Sequence, residues 1–280
     1  MPGKGQDMEQ TKVIPEDAAV QKVSQKNQPV RRNNRFVRLR KFLIWLLVFV
    51  ITASVLFGFW HLAASLNSSS AEKRLKGIYE QYTSTEQDET FDVPASVDLA
   101  GLARQKGISA VGFLKCDALD LMEPVMQGTD NLVYRGMLPD GTKSSTGSLF
   151  LDAGENAGLT DNNLILYGTN AKLNRLRMLS NASGTTHEET LYLYTGNDIR
   201  QYQVVSVHPL KSTYDTLSYG DIDINNLMEL EEKRSRVVTV NRMETDQLLT
   251  LVCLPGALWQ EPVVMTFALL GTSGGTSENA

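Results

Sequence analysis

The sequence predicts a mainly β domain, built as a barrel or sandwich, behind one membrane-spanning helix. Three observations carry this. From Ile108 onward, short β-rich apolar runs alternate with turn residues. Only two later stretches, 174–179 and 224–233, have helical spacing. Phe42 to Leu62 is a run of 21 residues without a charge. At about 1.5 Å rise per residue, such a run spans the roughly 30 Å hydrocarbon core of a bilayer. A cleaved signal peptide has a shorter apolar core followed by a small-residue site, and Ala63-Ala64-Ser65 keeps that alternative open.

Charge orients the helix. Arg31, Arg32, Arg35, Arg38, Arg40 and Lys41 crowd its N-terminal flank with no acid among them, which predicts a cytoplasmic N-terminus and an extracellular C-terminal domain in a single-pass cell-membrane protein. The same basic run suits anionic lipid, or serves as a topology signal only. Residues 1–41 hold ten basic and four acidic side chains, net +6, so the whole-chain charge of −5 leaves −11 for the remainder. An acidic exterior domain argues against nucleic acid as a partner class. With 42% hydrophobic residues the chain can bury a sizeable core.

Five segments follow: a disordered basic tail (1–41), the transmembrane helix (42–64), a linker with N-terminal helices (65–107), the barrel domain (108–270) and a flexible Gly/Ser-rich tail (271–280). In the third segment, Asn67 to Ser70 reads as a polar linker. Residues 71–82 space Leu75, Ile78 and Tyr79 at helical intervals, 83–90 reads as an acidic loop, and 95–105 as a second helix. Candidate strands are 110–116, 119–122, 132–135, 148–151, 163–167, 190–194, 201–208, 237–240, 248–254 and 262–270, the last two joined by a Pro255-Gly256 turn.

Few residues offer chemistry. Two cysteines, Cys116 and Cys253, are too few for a disulfide framework; one bridge between them stays open. Cys116 ends a strand and reads as core. His61 sits at the membrane end, His187 in a polar loop, and His208 at the end of a strand before Pro209. Glu229, Glu231 and Glu232 share a predicted helix with Lys233 and Arg234, as on a solvated face. No metal-ligand spacing and no phosphate loop is present, so no cofactor or metal is expected.

Specific strings then become recognisable. EPVMQGTDN (123–131), GTKSSTGSLFLDAGEN (141–156), NLILYGTN (163–170), LYLYTGNDIRQYQVVSV (191–207) and LLTLVC (248–253) stand in the order and spacing of a class B sortase. The chain resembles this family, membrane-anchored cysteine transpeptidases that join secreted proteins to the cell wall of Gram-positive bacteria, over roughly residues 95–270. The resemblance implies an eight-stranded barrel with N-terminal helices and a helix in the loop before the nucleophile strand, here 224–233. It also implies a histidine in a YGHN motif, a cysteine ending a TLxTC motif and an arginine opening the next strand.

Against that pattern the histidine position holds Thr169, the nucleophile position holds Leu254 with Cys253 one residue early, and the arginine position falls on Glu261. A threonine hydroxyl is no general acid near neutral pH, and a glutamate adds negative charge where an oxyanion forms. Along a strand, Thr250, Val252 and Leu254 share one face while Leu251 and Cys253 share the other, so Cys253 should point away from the groove. The expected function is a catalytically degenerate, sortase-like surface protein with a peptide-binding or scaffolding role, its groove including Asn170, Thr250 and Val252. Its partners would be secreted or cell-wall-linked peptides or proteins. One alternative is an active cysteine transpeptidase or peptidase using Cys253 with a partner such as His208. Another is a surface interaction protein whose groove is closed.

Overall fold

The computed structural model describes residues 34–181, 189–210, 222–235, 244–256 and 260–274. His187 and the candidate strand 237–240 lie outside the described residues, as do residues 1–33 and 275–280 and the side chain of His61. The chain divides into two units, Met1–Phe59 and Trp60–Ala280.

The first unit is described from Asn34, where helix α1 (Asn34–Gln81) begins. Its stretch Arg38–Trp60 is long and apolar enough to cross a membrane, and none of it is buried. The helix does not stop at the expected linker: Asn67 to Ser70 lie inside α1. Serine and asparagine cost only about half a kcal/mol each in a helix, and helical sequence flanks them on both sides.

In the second unit the last turns of α1 bury Leu75 and Tyr79. A loop then leads to α2 (Leu99–Lys106), which starts later than its spacing predicts. Ser96 and Val97 are drawn into pairing with Ser84 and Thr83, and Asp98 caps the helix, its Oδ1 accepting from Gly101 N at 2.7 Å. Gly107 ends it at φ 69°, in the left-handed region that favours glycine.

Eight strands follow: β1 (Gly112–Cys116), β2 (Leu121–Gln127), β3 (Leu149–Leu151), β4 (Asn163–Gly168), β5 (Thr190–Tyr194), β6 (Asp198–Pro209), β7 (Leu248–Cys253) and β8 (Val263–Gly274). They close into a barrel in the order β1-β2-β3-β4-β7-β8-β6-β5. Closure leaves no open sheet edge. Most neighbours are antiparallel, but β2/β3 and β4/β7 run parallel. All eight strands contribute to one interior cluster, which includes Leu114, Val125, Leu151, Leu166, Leu193, Tyr202, Leu251 and Met265. A second cluster on the outer face joins Leu75, Tyr79, Val97 and Leu102 to Phe113, Phe150 and Tyr194. A third sits under α4 (Ile224–Arg234), where Leu227 and Met228 meet Val205, Leu248 and Ala268.

Three further expectations change. Residues 132–135 are not a strand: Asp130 Oδ1 accepts from the N–H groups of Leu132 and Val133, turning the chain into a 3-10 helix at Val133–Arg135. Strand β2 runs on through Pro124 to Gln127, because its pairing with β3 begins only at Val125, one residue beyond the missing N–H. Strand β8 continues through Gly271 to Gly274, since Asp198 to Gln201 of β6 supply it with a partner where a free tail was expected.

Candidate functional site

Strands β4 and β7 pair in parallel register, from Asn163 opposite Leu248 to Gly168 opposite Cys253, so both finish at the same end of the barrel. Leu254 N then donates to Gly168 O at 2.8 Å, which fixes Leu254 beside Thr169. Gly168 is required by close packing. A Cβ there would sit 2.8 Å from Leu173 Cδ1 and 3.0 Å from Leu149 Cδ2.

The Thr169 hydroxyl is held rather than free. It donates to Thr146 O and accepts from Lys172 N at 3.3 Å, while Thr169 O takes the N–H groups of Lys172 and Leu173. This turn launches α3 (Asn174–Ser180), anchored by the buried Leu176 and Ser180. Helix α3 sends Arg177 back across the strand ends. Its Nε donates to Asn170 Oδ1 at 2.6 Å, its Nη1 to Glu261 O at 2.9 Å, and its Nη2 lies 3.8 Å from Cys253 Sγ.

Cys253 is 0% exposed and belongs to the interior cluster with Leu249 and Leu251. Leu254 is half-buried and packs on the outer cluster that contains Phe113 and Phe150. The two neighbours thus lie on opposite faces of the barrel wall. Burial pushes the Cys253 thiol up from its ordinary value, and the Arg177 guanidinium pulls the other way without overcoming it. Cys116 is also interior, and burial pushes it up to about 11. Both cysteines are free thiols.

The remaining predicted positions scatter. Asn170 is half-buried and engaged by Arg177. Thr250 and Val252, expected along a groove, are each 1% exposed, and Thr250 Oγ1 donates to Asn163 Oδ1 at 2.8 Å across the β4/β7 pair. The side chain of Glu261 is exposed, and only its carbonyl takes part. His208 is not brought to Cys253. It lies beneath α4 with Nε2 2.9 Å from Glu231 Oε2, while its neighbour Val207 faces the interior.

Glu231 overturns the solvated-face expectation for α4. It is 0% exposed, and its Oε2 also accepts from Ser206 Oγ at 2.6 Å and Thr266 Oγ1 at 2.9 Å. Burial pushes this carboxyl up, but the contact with His208 and the hydroxyl donors outweigh burial and hold it below the usual carboxylate range. Glu229, by contrast, pairs with Lys233 at 2.6 Å on the exposed side.

Two further groups escape sequence reading. Arg177 is one: it lies on a predicted helix that begins only four residues after Asn170, and the turn between them, rather than helical spacing, brings the two side chains together. Lys172 is the other: its side chain is 3% exposed, with Nζ 2.6 Å from Glu72 and 2.9 Å from Glu123, tying the Thr169 turn to α1 and β2. Chemically, the described strand ends offer a protonated thiol behind the wall, a hydroxyl already spent on a carbonyl, and a guanidinium that grips backbone oxygen. No group of three or more His, Cys, Asp or Glu side chains fit to hold a metal occurs among the described residues.

No protein-family model matches the chain, and no curated protein matches it. Solved structures do. Sortase B of Bacillus anthracis superposes with a TM-score of 0.56 at 19% identity, covering 73% of this chain and 99% of that one. A Staphylococcus aureus sortase B–substrate complex gives 0.56 at 15% identity, covering 73% and 95%. A Streptococcus pyogenes class B sortase involved in pilus biogenesis gives 0.50 at 13% identity, covering 61% and 100%. The closed eight-stranded barrel, the helices before it and the helix preceding β7 together give this chain the sortase fold.

Proposed function

We propose that the chain is a sortase-family, single-pass membrane protein that has lost transpeptidation and uses its barrel to bind or scaffold peptides or proteins outside the cytoplasm. The observation that carries this reading is the pair Cys253 and Leu254. The chain's one thiol at the shared end of β4 and β7 is enclosed in the barrel, and the residue beside Thr169 on the outer face is a leucine. Sortase chemistry needs an exposed thiolate, a proton donor for the leaving amine and a positive donor at the oxyanion. Thr169 is spent on Thr146 O, and Glu261 presents a carboxylate to solvent. Support for a ligand on the barrel comes from the fold shared with a sortase B solved as a substrate complex, and its reading as a peptide follows from the resemblance of the sequence motifs. The basic flank before the apolar helix supports a cytoplasmic N-terminus.

The test is incubation of the full chain, in detergent micelles, with sorting-signal peptides and a glycine or diamine nucleophile. No cleavage or transfer, together with saturable binding of a peptide, is the expected result. Product that disappears in Cys253→Ala would overturn the proposal.

One observation favours a second reading. Arg177 lies 3.8 Å from Cys253 Sγ and so supplies, from α3, a positive charge that the start of β8 lacks. An active thiol enzyme would then use Cys253 with Arg177, and the same assay with Arg177→Gln distinguishes it.

A further inference from the structure

The first turns of α1 carry Arg35, Arg38, Arg40 and Lys41, and Arg31 and Arg32 extend the run in sequence. No acid occurs between Asp17 and Glu72, and beyond Lys41 the next charge of either sign is Glu72 itself. The charge asymmetry across the apolar span Arg38–Trp60 is therefore complete. Arg38, Arg40 and Lys41 are exposed, and no carboxylate among the described residues pairs with them. Long cationic side chains at the end of an apolar helix reach to headgroup level. Both zwitterionic and anionic phospholipids offer a phosphodiester that an arginine can grip with paired donors, but only the anionic headgroup, which carries no cation of its own, leaves a net negative charge to balance the run.

We propose that this basic collar binds the phosphodiester headgroups of anionic phospholipids and keeps the lipid shell around that end of the helix enriched in them. The proposal rests on the reading of the span as membrane-inserted. Each cation near an anionic surface contributes a several-fold preference, screened within a Debye length. A topology signal alone needs only a cytoplasmic excess of lysine and arginine and makes no demand on lipid type.

The chain supplies its own probe. Trp45 lies four residues, or about one turn, beyond Lys41, Trp60 ends the span, and Trp259 is the third of its three tryptophans. The full chain carrying Trp60→Phe and Trp259→Phe is reconstituted in vesicles of phosphatidylcholine and phosphatidylglycerol, with bromine on the acyl chains of one lipid or the other. The expected result is quenching of Trp45 that corresponds to about fivefold enrichment of phosphatidylglycerol. The preference should shrink at high salt and vanish when Arg31, Arg32, Arg35, Arg38, Arg40 and Lys41 are all changed to Gln. A companion chain that keeps only Trp60 should show none. Equal quenching by both lipids in the native run, or a preference that survives all six substitutions, overturns the proposal. Absence of quenching by either lipid overturns instead the membrane-inserted reading on which it rests.

Discussion

The guanidinium of Arg177 lies 3.8 Å from the sulfur of Cys253, bridging a helix that follows β4 and the last residue of β7. Burial and this positive charge act on the thiol in opposite directions, and burial prevails. In a Cys116→Ala background, the ultraviolet thiolate absorbance of Cys253 in the folded chain is expected to rise only above the ordinary thiol range of about 8.5. Arg177→Gln should move that profile to still higher pH. A profile shifted downward would show that the guanidinium is not what opposes burial.

Because Cys253 and Leu254 lie on opposite faces, their chemistry should exchange with position. A chain with Cys253→Thr and Leu254→Cys carries its thiol on the outer face, beside Thr169. Its labelling by a bulky maleimide near neutral pH is expected to exceed that of the native chain by about two orders of magnitude, the difference set by the opening free energy of the buried site. Comparable rates would mean that the strand does not hold its register at that end.

Glu231 anchors α4 to the barrel through Ser206, His208 and Thr266. Glu231→Ala leaves three buried partners without their acceptor and should cost about 3 kcal/mol in chemical denaturation, while Lys233→Ala, on the exposed side, should cost less than about 0.5 kcal/mol. The Glu231 carboxyl is depressed in the folded chain from its ordinary 4.5. Its contribution is therefore complete above that value and is lost as pH falls through the folded one. Thermal unfolding measured down through pH 4 should show a steeper acid loss in the native chain than in Glu231→Gln.

Glu155 behaves in the opposite sense. Burial, with Asp152 and Asp161 nearby, pushes its carboxyl up to about 8. The folded chain holds a proton there that the unfolded chain has released, so this group lowers stability progressively from the ordinary 4.5 to about 8 and adds nothing further above it. Glu155→Gln should flatten stability across that window, and denaturation midpoints at pH 5 and pH 8 read the difference directly.

Gly168 and Leu173 are coupled by contact. Gly168→Ala should destabilise by about 1–3 kcal/mol, since the new methyl group overlaps Leu173 and Leu149. Part of that loss should return in the double variant with Leu173→Ala, measured as a non-additive term in a double-mutant cycle. Strict additivity would place the strain elsewhere.

Much of the barrel was legible because period-two apolar runs and their turn residues are local signals. Every observed strand overlaps a run visible in the sequence, and the apolar span needs only length and absence of charge. What escaped depends on which face of an element docks. The acidic helix 224–233 reads as solvated because Glu229 and Glu232 stand beside lysine and arginine, and only the docked helix shows that Glu231 points inward to three donors. Arg177 and Lys172 escaped for a related reason. Apart from Asn170, their partners lie 49 to 100 residues away, at Glu123, Glu72, Glu261 and Cys253. Burial of Thr250 and Val252 likewise follows from the strands on either side of β7.

Closure of the barrel has a redox consequence. Cys116 and Cys253 are the chain's only sulfhydryls, and both lie within the same interior cluster. The folded surface therefore offers no thiol to an oxidant, a metal or another protein. On either side of a membrane the folded chain can pass through oxidising and reducing surroundings without forming a disulfide, and only opening of the barrel exposes its thiols.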